Sequence, residues 1–79
     1  MPIMAYILLK LRPIPVDELA RELKRYESIK SCAIVTGEID AILYVEVKDT
    51  KELFDLVKNL RDLPFVLETR TSIIISKCL

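Results

Sequence analysis

Hydrophobic and polar residues recur with two different periods along this chain, and the changes of period divide it into six segments. Four segments are short apolar runs, rich in β-branched residues or alternating with polar ones, which is typical of strands. They cover Ile3 to Leu11, Ile29 to Thr36, Asp40 to Lys48 and Val66 to Ser76. In the two longer intervals between them, apolar residues lie three and four positions apart, which predicts two amphipathic helices.

Both predicted helices begin at recognisable capping signals. Pro15 to Glu18 opens the first, with a proline in the first turn and acidic side chains near the positive end of the helix dipole. Asp49 to Glu52 opens the second and has the form of a capping box, in which Asp49 accepts from a backbone N–H and Glu52 reaches back. Pro64 ends the second helix.

The order strand, helix, strand, strand, helix, strand is the ferredoxin-like pattern. Because strand-helix-strand crossovers are right-handed, both helices should cover the same face of a four-stranded antiparallel sheet, with the first and third strands in its centre. The predicted fold class is therefore α+β, a ferredoxin-like βαββαβ sandwich. Its second sheet face is bare unless a partner covers it.

The bare sheet face predicts a dimer. Alternation along the first and third strands turns an amphipathic set of side chains away from the helices. The set is Tyr6, Leu8, Ile42 and Tyr44. Lys10 and Glu46 could pair at its margin. With 52% hydrophobic residues, the chain also holds more apolar material than a small two-layer domain can hide. We expect these four residues to form a sheet-to-sheet dimer interface.

The connection between the second and third strands contains the only glycine, Gly37, which should adopt positive φ in a hairpin turn. Glu38 and Asp40 could receive an ammonium group there, and exposed N–H groups near Gly37 could receive a carboxylate, which together suit an amino acid. On the last strand, Thr69, Thr71 and Ser72 add hydroxyl groups and Arg70 adds a guanidinium. A structural alternative stays open, in which Asp40 only stabilises the turn and the threonines only favour strand structure.

Composition excludes several classes of function. Twelve basic and twelve acidic residues cancel, so nothing predicts binding to DNA, RNA or an anionic membrane. The chain has no histidine, and Cys32 and Cys78 lie far apart in apolar surroundings, so we expect no catalytic residue, no metal and no cofactor. Reduced thiols, together with the lack of a signal peptide or apolar span, favour a cytoplasmic protein.

Three stretches together carry a resemblance to a known family. The residues Val35 to Val47, with glycine and aspartate at Gly37 and Asp40, are followed by Leu60 to Val66 and by Glu68 to Thr71. This arrangement resembles the ligand-sensing C-terminal domain of Lrp/AsnC transcription regulators. The resemblance implies a ferredoxin-like domain that dimerises sheet to sheet, assembles into octameric or decameric rings and binds amino acids between dimers.

The resemblance also implies a ligand site. Carried over by position, the site consists of Thr36, Gly37, Glu38, Ile39, Asp40, Thr69 and Thr71. Two departures accompany it: the family often has glycine where this chain has Phe65, and no helix-turn-helix precedes the first strand. We therefore expect residues 1–79 to be a single sensing module without direct DNA binding, with full-length regulators as candidate partners.

Other functions fit the same topology less well. A purely structural oligomerisation module without ligand is the main alternative. An acylphosphatase-like enzyme would need a glycine-rich anion loop, and the amino-acid-binding ACT domain usually has its glycine after the first strand, where this chain has Pro13 and Pro15. We therefore expect a non-enzymatic ligand-sensing protein.

Overall fold

The computed structural model describes residues 2–79 and contains the six predicted elements in the predicted order. They are β1 (Ile3–Leu11), α1 (Val16–Leu23), β2 (Ile29–Ile34), β3 (Ala41–Val47), α2 (Thr50–Arg61) and β4 (Val66–Ile73). The bounds of β1 were predicted correctly, whereas β2 and β4 end before Thr36 and Ser76. Within residues 2–79, neither helix is long and apolar enough to cross a membrane.

The four strands form one antiparallel sheet in the order β2-β3-β1-β4, so the first and third strands lie in its centre, as predicted. In the register of β1 and β3, Tyr6 lies opposite Tyr44 and Leu8 lies opposite Ile42. On its other side, β1 places Leu8 opposite Arg70 of β4. These residues all lie on the sheet face that the helices leave bare.

The hydrophobic core lies between the other sheet face and the two helices. Alternate residues of the two central strands are buried there, and α1 and α2 each contribute the apolar positions of one helical face. The buried residues are Ala5, Ile7, Leu9, Leu19, Leu23, Ala41, Leu43, Val45, Val47, Leu53, Leu56 and Leu60. Both helices therefore cover the same face, and the predicted ferredoxin-like fold is confirmed.

The start of α2 contains only half of the predicted capping box. Asp49 Oδ1 accepts a hydrogen bond from the Glu52 N–H at 2.8 Å, as predicted. The Glu52 carboxylate, however, accepts from the N–H of Lys48 at 3.4 Å and from the Ser28 hydroxyl at 3.0 Å, rather than from Asp49. Glu52 therefore ties α2 to the connection between α1 and β2.

Candidate functional site

The loop between β2 and β3 is a compact turn fastened to the end of β1. Gly37 has a φ of 112°, which confirms the predicted positive φ. The N–H of Val35 donates to the carbonyl of Asp40 at 3.0 Å and closes the loop, and the N–H of Asp40 donates to the carbonyl of Leu9 at 2.9 Å. The backbone of the loop is thus held by a neighbouring strand as well as by its own ends.

The side chain of Asp40 is part of the same attachment. Its Oδ2 accepts a hydrogen bond from the N–H of Leu11 at 2.8 Å, in a partly buried position. A carboxylate that accepts from a backbone N–H supplies a charge-assisted bond and satisfies a donor that lies beyond the regular sheet ladder. This contact supports the structural alternative for Asp40, in which the carboxylate stabilises the turn.

Glu38 and Ile39 point to the other side of the loop and line a cleft on the bare face of the sheet. We call this cleft the open-face cleft. Its volume is about 340 Å³, and its walls are Leu8, Lys10, Glu38, Ile39, Glu68 and Arg70. The partly buried Ile39, unusual for a loop tip, therefore covers one end of a concave surface.

The open-face cleft brings together two basic and two acidic side chains around an apolar floor. Lys10 lies opposite Glu68 in the register of β1 and β4. Arg70 Nη2 lies 3.7 Å from Glu68 Oε1, and both side chains are well exposed. Because an exposed ion pair at this distance is weak, the guanidinium and the carboxylate can each exchange their partner for a ligand group at little cost.

Not all the sequence-predicted site residues meet at this cleft. Thr69 and Thr71 lie opposite Leu9 and Ile7, on the face that carries the helices. Thr36 is exposed beside Gly37 and is not part of the cleft wall. The structure therefore brings Glu38 and Ile39 together with the alternate residues of β4, and it separates them from the two threonines.

Lys10 and Glu68 were not predicted from the sequence as neighbours of the loop. A signal for Glu68 was available, since Glu68 and Arg70 are two positions apart and must share one face of β4. Which face they share depends on the pairing with β1, where the register shifts between Lys10 and Leu11. That irregularity has no simple signature in the chain.

A tyrosine pair lies beside the cleft on the bare face. The rings of Tyr6 and Tyr44 have centroids 5.8 Å apart and are tilted by 54°, a favourable arrangement for aromatic rings. The Tyr44 hydroxyl donates to Glu46 Oε2 at 3.0 Å. The suggested pair between Lys10 and Glu46 was therefore wrong, because Lys10 lies opposite Glu68 and Glu46 binds Tyr44.

The surroundings of Tyr44 also affect its ionisation. Desolvation raises the pKa of the Tyr44 hydroxyl above its ordinary value, and the neighbouring Glu46 carboxylate raises it further. Ionisation of the Tyr44 hydroxyl, which would place a second negative charge beside Glu46, is therefore disfavoured.

Comparison with known proteins identifies the family to which this chain belongs. The chain belongs to the Lrp/AsnC ligand binding domain family, whose sequence model matches residues 4–78. The HTH-type transcriptional regulator FL11 of Pyrococcus abyssi is 29% identical over 72 residues, which cover 91% of this chain and 48% of the relative. The chain thus spans about half the length of that curated relative.

Solved structures confirm the fold. The structure of FFRP-DM1 is 28% identical, with a TM-score of 0.84, and the match covers 92% of this chain and 99% of that one. A feast or famine regulatory protein from M. tuberculosis, solved in complex with L-methionine, is 30% identical with a TM-score of 0.80, and the match covers 98% of this chain and 52% of that one. The resemblance seen in the sequence is therefore confirmed.

Proposed function

We propose that this chain is a metabolite-sensing and oligomerisation module whose ligand is an amino acid bound in the open-face cleft, beside the Gly37–Asp40 loop. The observation that carries the proposal is the cleft itself: two cations, two carboxylates and an apolar floor converge next to the loop. Membership in a ligand-binding domain family supports a sensing role. The L-methionine complex of a relative supports an amino acid as the class of ligand.

The groups around the cleft complement a zwitterion with an apolar side chain. Arg70 and Lys10 can hold the α-carboxylate, and the guanidinium of Arg70 can bind both of its oxygens. Glu38 and Glu68 can accept from the α-ammonium group. Leu8, which is partly buried, then lies under an aliphatic or thioether side chain.

We further propose that two copies of the chain pair through their bare sheet faces. A folded monomer of 9.1 kDa is expected to expose about 4,900 Å². This chain exposes 5780 Å². The excess of about 900 Å² is close to the roughly 800 Å² that each partner buries in a standard interface. The tyrosine pair and its neighbours Leu8 and Ile42 supply the apolar centre that such an interface needs.

Leu8 belongs both to this apolar centre and to the wall of the cleft. A second copy seated on the bare face therefore partly covers the cleft, and a bound ligand stabilises one assembly state in proportion to its greater affinity for that state. We propose that dimers built in this way join into octamers or decamers, with the loop end of the cleft, at Glu38 and Ile39, left outside the paired sheets and close to the contact between dimers. Full-length regulators are the proposed partners through which the signal reaches DNA.

One set of observations favours a second function, that of an oligomerisation module without ligand. The Asp40 carboxylate already binds the Leu11 N–H, and Thr69 and Thr71 lie on the helix-covered face. Asp40 thus has a structural role without a ligand, and the two threonines lie on the face opposite the cleft. Glu38, Ile39 and Arg70 are the residues on which the two functions differ.

Thermal melting with each of the common amino acids, followed by calorimetric titration of any that raise the melting temperature, tests the proposal. We expect a response to one or a few apolar amino acids. Arg70→Gln should abolish that response, whereas Arg61→Gln, an exposed arginine on α2, should retain it. A flat response of the unmodified chain across the whole panel would support the structural module instead.

A further inference from the structure

The six residues 74–79 follow β4 and form a segment that we call the arm. The N–H of Ile74 donates to the carbonyl of Met4 at 2.8 Å. Within residues 2–79, this is the last backbone hydrogen bond along the segment. Beyond Ile74 the arm has no regular secondary structure. Its backbone is therefore tied to the sheet by a single hydrogen bond within the described residues.

The arm lies over the bare face of the sheet. Lys77 Nζ is 5.6 Å from the centroid of the Tyr44 ring, although Tyr44 is on β3, two strands away from β4. Residues 73–79 and Tyr6 enclose a cleft of about 670 Å³. The arm thus crosses the tyrosine pair at a distance and leaves space between itself and the sheet.

Two apolar side chains of the arm, those of Ile75 and Leu79, are left uncovered by residues 2–79. Ile75 is 98% exposed and Leu79 is 112% exposed relative to a reference chain. Isolated exposed apolar residues are common, but these two lie on a segment held directly above an amphipathic patch. The arm also contributes to the excess surface of about 900 Å² that matches one side of a standard interface.

We propose that the arm of each subunit docks on the bare sheet face of a second copy of this chain, with Ile75 and Leu79 buried between the two sheets. The inference rests on the sheet-to-sheet pairing proposed above. Two sheets cannot meet through their tyrosine pairs without also meeting the arms that lie over them. In a two-fold dimer the two arms make equivalent contacts. Each arm therefore fills the space next to the tyrosines of the other subunit.

Sedimentation velocity over a range of concentrations tests the contribution of the arm. We expect Ile75→Asp and Leu79→Asp each to raise the dimer dissociation constant by about tenfold or more, because each places a charge in an apolar contact. Phe54→Asp is the matched control, since Phe54 is 67% exposed but lies on α2. Arm variants that dimerise as tightly as this control would overturn the inference while leaving the pairing of the sheets intact.

A chain that is monomeric without any substitution would overturn the pairing itself, and the inference with it. Cross-linking shows whether the arm contacts the sheet of the second subunit or the sheet of its own subunit. A photoreactive benzophenone amino acid in place of Ile75, in a mixture of nitrogen-15-labelled and unlabelled subunits, should yield mixed-isotope peptides that join the arm to residues 42–46. Cross-links confined to single subunits would overturn the inference.

Discussion

The carboxylate of Asp40 accepts a hydrogen bond from the backbone N–H of Leu11, and this contact joins the loop after β2 to the end of β1. Loop residues that carry function have to be held by such contacts if the site is to keep its shape. Here the bond fixes one end of the loop, and Glu38 and Ile39 project from the held segment into the open-face cleft.

Asp40→Ala should lower the free energy of unfolding by about 1.5–3 kcal/mol, because it leaves the partly buried Leu11 N–H without its charged acceptor. Urea unfolding followed by circular dichroism measures the change. Glu38→Ala is the control, since Glu38 is an exposed residue of the same loop and its loss should change stability by less than about 0.5 kcal/mol. Equal effects of the two substitutions would contradict the anchoring role of Asp40.

Gly37→Ala should cost about 1–3 kcal/mol of stability. A Cβ at this position would meet no atom within 4 Å, so crowding is not the reason. The cost comes from the φ of 112°, which residues with a side chain rarely adopt. Thermal and urea unfolding check the value, with Thr36→Ala as a neighbouring exposed control. If Gly37→Ala were neutral, the loop would have to adopt a different backbone in solution.

Tyr44→Asp should convert the proposed dimer into a less stable monomer, because it would place a charge in the apolar centre of the interface. Tyr44→Phe keeps the ring next to Tyr6 and loses only the exposed hydrogen bond to Glu46, so it should remain a dimer. Light scattering coupled to size-exclusion chromatography separates the two outcomes. A Tyr44→Asp chain that still dimerises would exclude the sheet-to-sheet contact.

Cys32 should react slowly with thiol reagents although part of it is exposed. Burial raises the pKa of its thiol above the ordinary value of 9.0, so less thiolate is present in the folded chain at any mildly alkaline pH. Iodoacetamide alkylation of a Cys78→Ser chain should be slower when the chain is folded than in urea, with a midpoint at higher pH. The same shift lowers the stability of the folded state as the pH rises above 9.0, because the folded chain then holds a partly desolvated thiolate. A faster reaction in the folded chain would disprove the shift.

The fold could be predicted from the sequence because each element has its own local signal. Strand periodicity, the caps at Pro15 and Asp49 and the single glycine determine the element order, and the handedness of crossovers then determines the sheet. The error at the end of β4 has a physical cause. Isoleucine favours strands, but the pairing of β4 with β1 ends at Ile73 opposite Ala5, and the last backbone hydrogen bond joins the Ile74 N–H to Met4. Within residues 2–79 Ile75 makes no further ladder bond, and strand preference without such bonds does not form a strand.

The site could be predicted only in part. The loop around Gly37 follows from local sequence, and its neighbours do not, because they come from pairing between strands distant in the chain. A shift of one residue in the pairing of β4 with β1 would exchange the two faces of β4. Thr69 would then lie on the bare face, and Arg70 would lie on the face that the helices cover. The anchoring role of Asp40 likewise depends on where β1 ends.

The side chain of Glu52 accepts hydrogen bonds from Ser28 and from Lys48, so one carboxylate fastens two connections that are distant in sequence. Loss of either hydrogen bond would therefore disturb both segments. Amide protons at the beginning of α2 and in the connection between α1 and β2 should therefore exchange with deuterium at a common rate, as members of a single cooperative unit. The start of α2 and the connection between α1 and β2 would then unfold locally in the same event.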